Sequence, residues 1–175
     1  MGTIRDAVLS EEDPPIYRYL LGRVWDKRRP LMVWIMLNPS TADHEVDDRT
    51  IQACMEFSRL NGCGGITVVN LFAFRSPHPK VLFATEENPF GPENDTYLKR
   101  ALGEAARHRH VVVAGWGTKG GYRGREAEVQ KLATASGVAL MCFGRTVGGH
   151  PKHPLARGRH RIPWDAPLII CETSR

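Results

Sequence analysis

No apolar run in this chain of 175 residues approaches the ~20 that a membrane span needs. The opening, MGTIRDAVLSEEDPP, has no charged start followed by an apolar segment, so no signal peptide is read and the expected location is the cytoplasm. Cysteine is scarce. Cys54, Cys63, Cys142 and Cys171 are scattered, and no pair has the C-x2-C spacing of a zinc site. A chain long enough to bury roughly 70% of its unfolded surface does not need a disulfide framework, so four ordinary, mostly buried thiols are expected. Neither G-x-x-x-x-G-K-[ST] nor G-x-G-x-x-G with a matching acidic residue occurs, so neither a P-loop nor a dinucleotide fold is read. No metal and no cofactor are called for. There is no internal repeat and no linker, which makes residues 1–175 one domain.

Acidic residues are missing from one long stretch. Between Arg145 and Trp164 there is none, while Arg145, Lys152, Arg157, Arg159 and Arg161 are cationic beside His150, His153 and His160. A second basic knot runs from Arg23 to Arg29, opposed by Asp26 alone. Either these are solvated basic faces, or they meet a phosphate-rich partner such as nucleic acid or a nucleotide. The chain thus has a polar N-terminal segment, 1–15, and a basic C-terminal segment, 145–175, around an ordinary core with 42% hydrophobic residues.

That core is organised around Leu31 to Thr50. Leu31-Met32-Val33-Trp34-Ile35-Met36-Leu37 is short, β-prone and bounded by Pro30 and Pro39, which predicts a buried strand. It breaks into Asn38-Pro39-Ser40-Thr41-Ala42-Asp43. Polar residues directly behind a buried strand sit where open α/β folds keep their chemistry. From Thr50 to Leu60 the spacing is helical, and Asp47 or Asp48 stands where its N-cap belongs. Ile66 to Phe74 is a second strand, with Asn70, Arg75 and Ser76 at or beyond its end. Arg75 has two options there, a phosphate or an ion pair with Asp47 or Asp48. A helix over 96–107 follows, capped by Asn94 or Asp95.

Val111 to Gly117 is a third strand running into Gly115, Gly117, Gly120, Gly121 and Gly124, which allow close approach of a ligand or helix. Trp116 either packs there or stacks on a base. A helix over 123–136 leads to a fourth strand, Val138 to Gly144, and Leu168-Ile169-Ile170 adds an edge strand. The segment Ile16 to Leu21 reads equally as strand or helix. The alternation predicts a three-layer α/β/α sandwich on a mainly parallel sheet of about four core strands, all ending on one rim.

The motifs L-N-P-S-T-A-D, D-D-R-T-I, V-V-N-L-F-A-F-R-S, G-P-E-N-D, A-G-W-G and G-H-P-K-H-P-L resemble, in order and from about Trp25 to Leu155, a family of bacterial and phage proteins known as domain of unknown function 1643. More distantly, Met36-Leu37-Asn38-Pro39-Ser40 and His153-Pro154-Leu155 resemble the two site motifs of the uracil-DNA glycosylase superfamily, G-I-N-P-G and H-P-S. Val69-Asn70 and Arg75-Ser76-Pro77 are similar to its T-N and R-A-T-P. Leu37 stands where that branch has glycine, and Leu155 where it has serine.

The glycosylase resemblance implies a uracil-DNA-glycosylase-like fold and cleavage of an N-glycosidic bond. Such cleavage builds positive charge on the sugar and negative charge on the departing base. By resemblance Asn38 positions water and His153 donates to the base oxygen; Asp48 is a further catalytic candidate. A base flipped from a duplex needs an aromatic platform, for which Trp116 and Phe72 are candidates. Ser40, Thr41, Asp43, Asp47, Asn70, Arg75, Trp116 and Gly117 are the candidate substrate-binding residues. Arg145, Lys152, Arg157 and Arg159 are the candidate phosphate-binding residues. Two other readings stay open: a non-catalytic module that binds a nucleotide or modified base, and a magnesium-dependent phosphohydrolase using Asp43, Asp47 and Asp48.

Overall fold

The computed structural model describes residues 2–171. Its centre is β3, Leu31–Met36. Met32, Trp34 and Met36 pack on one face, and Val33, Ile35 and Leu37 on the other. Burial on both faces is why this strand reads as a continuous apolar run and not an alternation. Parallel strands flank it: β4, Gly65–Asn70, pairs Met36 with Asn70 and Trp34 with Val68, while β5, Val111–Ala114, pairs Trp34 with Val113. Then β6, Leu140–Cys142, lies parallel to β5.

These four strands are the expected parallel core, but the sheet is larger and mixed. It has seven strands in the order β1-β2-β4-β3-β5-β6-β7. On one side β2, Arg18–Val24, runs antiparallel to β4, and β1, Ile4–Leu9, antiparallel to β2. On the other, β7, Ile169–Ile170, closes on β6. The N-terminal segment read as polar is therefore partly an edge strand. Its side chains are exposed or half-buried, so no hydrophobic period marked it.

Helix α1, Arg49–Leu60, and the C-terminal segment around Ile162 and Trp164 cover one face; α3, Asn94–His108, and α4, Arg125–Ala135, cover the other. A short helix α2, Pro79–Ala84, lies between β4 and α3. The first face is knit by Trp34, which stacks on Phe143 and donates from Nε1 to Ser58 Oγ at 3.1 Å. Ser58 in turn donates to the Cys54 carbonyl at 2.7 Å, so both polar groups of this buried pair are satisfied. Truncating Trp34 to alanine would cost about 3–5 kcal/mol. All four cysteines are free and buried. Among the described residues no helix is long and apolar enough to cross a membrane.

In the parallel core the chain goes from β3 to β4 on one side, then returns past β3 to β5. The strand order reverses between β3 and β5. Open α/β sheets place their ligand crevice at the carboxyl ends of such a pair.

Candidate functional site at the carboxyl ends of the parallel strands

A cavity of about 390 Å³ opens at that reversal. Leu37, Asn38 and Ser40 reach it from behind β3, Asn70 from the end of β4, and Trp116, Gly117, Thr118 and Lys119 from behind β5. Asp48, Thr50 and Ile51 come from the start of α1, Ser76 from the loop after β4, Arg18 from β2, and His153 from the C-terminal segment. Of the candidates, the cavity therefore gathers Asn38, Ser40, Asp48, Asn70, Trp116, Gly117 and His153.

Asn38 is anchored by its nitrogen. Nδ2 donates to the carbonyls of Pro39 at 3.0 Å, Phe74 at 3.3 Å and Ser76 at 2.9 Å, tying the loop after β3 to the loop after β4. Among the described residues no donor reaches its Oδ1. Asp48 is the N-cap of α1: its Oδ1 accepts from the Ile51 N–H at 2.9 Å, leaving Oδ2 without a partner among the described residues. His153 is fixed through Nδ1, which accepts from the Leu155 N–H at 3.0 Å. That bond selects the tautomer with its proton on Nε2, a donor. Burial lowers the His153 pKa, with the Asp48 charge opposing the shift, so the ring is neutral at pH 7.

Asn70 is the odd member. Its side chain is 0% exposed, and neither Nδ2 nor Oδ1 has a hydrogen-bond partner. The backbone around it is locked instead. Asn94 Nδ2 donates to the carbonyls of Asn70 at 3.0 Å and Leu71 at 3.1 Å, and Arg125 Nε donates to Leu71 at 2.8 Å. Asn94 is thus the first residue of α3, buried against β4, and not its cap; Glu93 holds the cap position without a side-chain bond.

Trp116 is 2% exposed and donates from Nε1 to Glu126 Oε2 at 3.0 Å, so it packs and lines the cavity at once. Gly120 makes this possible, because a Cβ there would lie 2.2 Å from the indole. Gly117 turns the chain at φ +73°, and a Cβ on it would touch His153 at 3.6 Å. Phe72, the other candidate platform, is buried with Phe90 and Tyr122 in the α3–α4 core, away from the cavity lining.

The remaining candidates lie elsewhere. Asp47 pairs with the buried Arg23 Nε at 2.8 Å and with Arg5 at 2.8 Å. Arg23 also donates to the carbonyls of Asp6, Gly22, Asp43 and Val46, so it pins the 43–47 loop to β1 and β2. Asp43 Oδ1 accepts from the N–H groups of Glu45 and Val46, which lower its pKa. The three aspartates thus serve three separate contacts, and among the described residues no cluster of metal-binding side chains forms. Thr41 is exposed. Arg75 donates to the Pro15 carbonyl at 3.4 Å and does not form an ion pair with Asp47 or Asp48. Arg145 donates to the Ile170 carbonyl, Lys152 runs along Gly144, and Arg157 and Arg159 are exposed outside the lining.

Sequence reasoning missed Arg18, Thr50, Thr118 and Lys119. Arg18 did carry a signal: a lone cation within the apolar stretch Ile16 to Leu21. It is 2% exposed, donates from Nη1 to the Ala42 carbonyl at 2.6 Å, and has a buried Nε with no partner. Burial lowers its pKa to about 10, with Asp48 opposing, so it stays charged at pH 7.

These features define an α/β protein with a polar, half-anchored cavity at the switch point of a mixed sheet. The chain belongs to the family described as protein of unknown function DUF1643, whose model matches residues 18–155. That span runs from Arg18 to just past His153 and holds every residue gathered in the cavity. No curated protein and no solved structure matches the chain. The likeness to uracil-DNA glycosylases rests on the short motifs alone.

Proposed function

We propose that the cavity binds a nucleobase and that the protein is a glycosylase-like hydrolase of its N-glycosidic bond. One observation carries this reading: a fully buried Asn70 carboxamide with both atoms unpaired, in the lining that also holds the Nε2–H donor of His153. A carboxamide offers a donor and an acceptor side by side, which matches the edge of a base and leaves a strong penalty when unmatched.

In this reading Asn70 binds the base edge. His153 donates from Nε2 to the base oxygen that gains charge as the bond breaks; being neutral, it stabilises that charge without transferring a proton first. Asn38 Oδ1 and Asp48 Oδ2, the two acceptors left over by the loop and the helix cap, hold the attacking water. Asp48 takes its proton and opposes the positive charge that grows on the sugar. Trp116 walls one side of the base.

The test is incubation with oligonucleotides and free nucleotides that carry uracil, hydroxymethyluracil, hypoxanthine or mismatched thymine. Release of the free base, abolished by Asp48→Asn and His153→Ala, is the expected result. Base binding without release in the wild type would overturn hydrolysis and leave a binding module.

A further inference from the structure

We infer that the ligand is a free mononucleotide whose phosphate is held by Arg18, and not a base within a polynucleotide. This rests on the base-binding reading of the cavity. Arg18 is 2% exposed and lines the cavity, yet one hydrogen bond, to Ala42, is all that engages its five donors among the described residues. Its Nε is buried and unpartnered. A desolvated guanidinium with so few partners is costly unless something anionic completes it, and the planar fork of arginine fits phosphate oxygens.

Charge and placement agree. With His153 neutral, the lining carries Arg18 and Lys119 against Asp48, an excess of one positive charge. The Arg18 N–H bonds to the Ala73 carbonyl, three residues beyond Asn70. Arg18 and Asn70 thus line the cavity from the adjacent strands β2 and β4. A flipped base in a polynucleotide keeps its phosphates outside the base pocket, where the backbone must run on both ways. It would leave Arg18 unpaired.

The experiment is isothermal titration of the full chain at fixed salt. The probes are five deoxynucleosides (the common four and deoxyuridine), their 5′-monophosphates, inorganic phosphate, and single-stranded pentanucleotides with the same central bases. The expected result is one monophosphate binding at least tenfold tighter than its nucleoside, competition by inorganic phosphate against the monophosphate but not the nucleoside, and a ratio near one in Arg18→Gln. Arg18→Lys, which keeps the charge and loses the fork, falls between, and it serves if Arg18→Gln fails to fold. Equal affinity for nucleoside and monophosphate overturns the phosphate seat and leaves the base pocket standing. A pentanucleotide that binds tighter than any monophosphate overturns the free-nucleotide assignment. No binding by any nucleoside or nucleotide overturns the base-binding reading itself.

Discussion

Asn70→Leu should make the protein more stable and unable to bind its ligand. The carboxamide is fully buried at the end of β4, with neither polar atom paired. An unsatisfied buried amide costs about 1–3 kcal/mol relative to an apolar group of similar shape. Leucine has the branching of asparagine, and its extra volume has the cavity to expand into, so overpacking is limited, and β4 remains pinned through the backbone carbonyls of residues 70 and 71. For a chain of this size 1–3 kcal/mol corresponds to a rise in Tm of roughly 2–12 °C. Urea unfolding by circular dichroism should show a higher midpoint at unchanged slope, and titration with the preferred nucleotide should show no heat. A lower midpoint at unchanged slope would mean the amide is satisfied in the free protein, and the reasoning that makes it a base reader would fail. A gain in stability from losing a functional polar group is the trade-off expected of a binding site.

Asp48→Asn keeps an N-cap of equal quality, so Tm should hold while base release is lost; Asp48→Ala should lose release and also about 1 kcal/mol of stability, read by the same unfolding curves. Asp47→Asn strips the buried Arg23 of its carboxylate partner and should cost about 3–5 kcal/mol, with nucleotide affinity of the folded fraction unchanged. His153 should titrate below the ordinary histidine value of about 6.5. Its folded pKa lies beneath its unfolded one, so its contribution to stability is complete above the unfolded value and is lost as pH falls through the folded one. Ligand affinity should therefore stay flat from pH 8 to 6.5 and fall only below, with the ring resonances followed by NMR; a midpoint above 6.5 would contradict a buried neutral ring.

The parallel core was legible because β3, β4 and β5 are buried on both faces and so stand out as unbroken apolar runs. The rim was legible too, since Asn38, Asn70 and Gly117 fall directly behind them. The antiparallel side was not: β1 is solvated and β2 carries Arg18 and Arg23 among apolar residues, a mixture with no clean period. Asp47 looked interchangeable with Asp48. What separates them is Arg23, 24 residues upstream, and a single sequence does not show a pairing at that distance. Asn94 sits where a helix cap belongs, and only the packing of α3 on β4 turns it into a lock on the Asn70 carbonyl.

The polar residues near this cavity divide by how completely their atoms are used. Arg23 and Asp47 have every charged atom engaged, and they hold loops. Asn38, Asp48 and His153 each give one end to the backbone and present the other toward the cavity, the arrangement that positions a reactive atom in advance. The division predicts which isosteric changes are tolerated. In Asn38→Asp the group facing the carbonyls of Pro39, Phe74 and Ser76 becomes an acceptor, so three attractive contacts turn repulsive around a half-buried charge. The two N–H donors lost are worth about 1 kcal/mol each, and the buried charge adds to that, so the variant should lose at least about 2 kcal/mol. Asp48→Asn, by contrast, keeps its one structural bond. If chemical denaturation found both variants as stable as the wild type, Asn38 would not be anchored through Nδ2, and its Oδ1 would have no claim to the water.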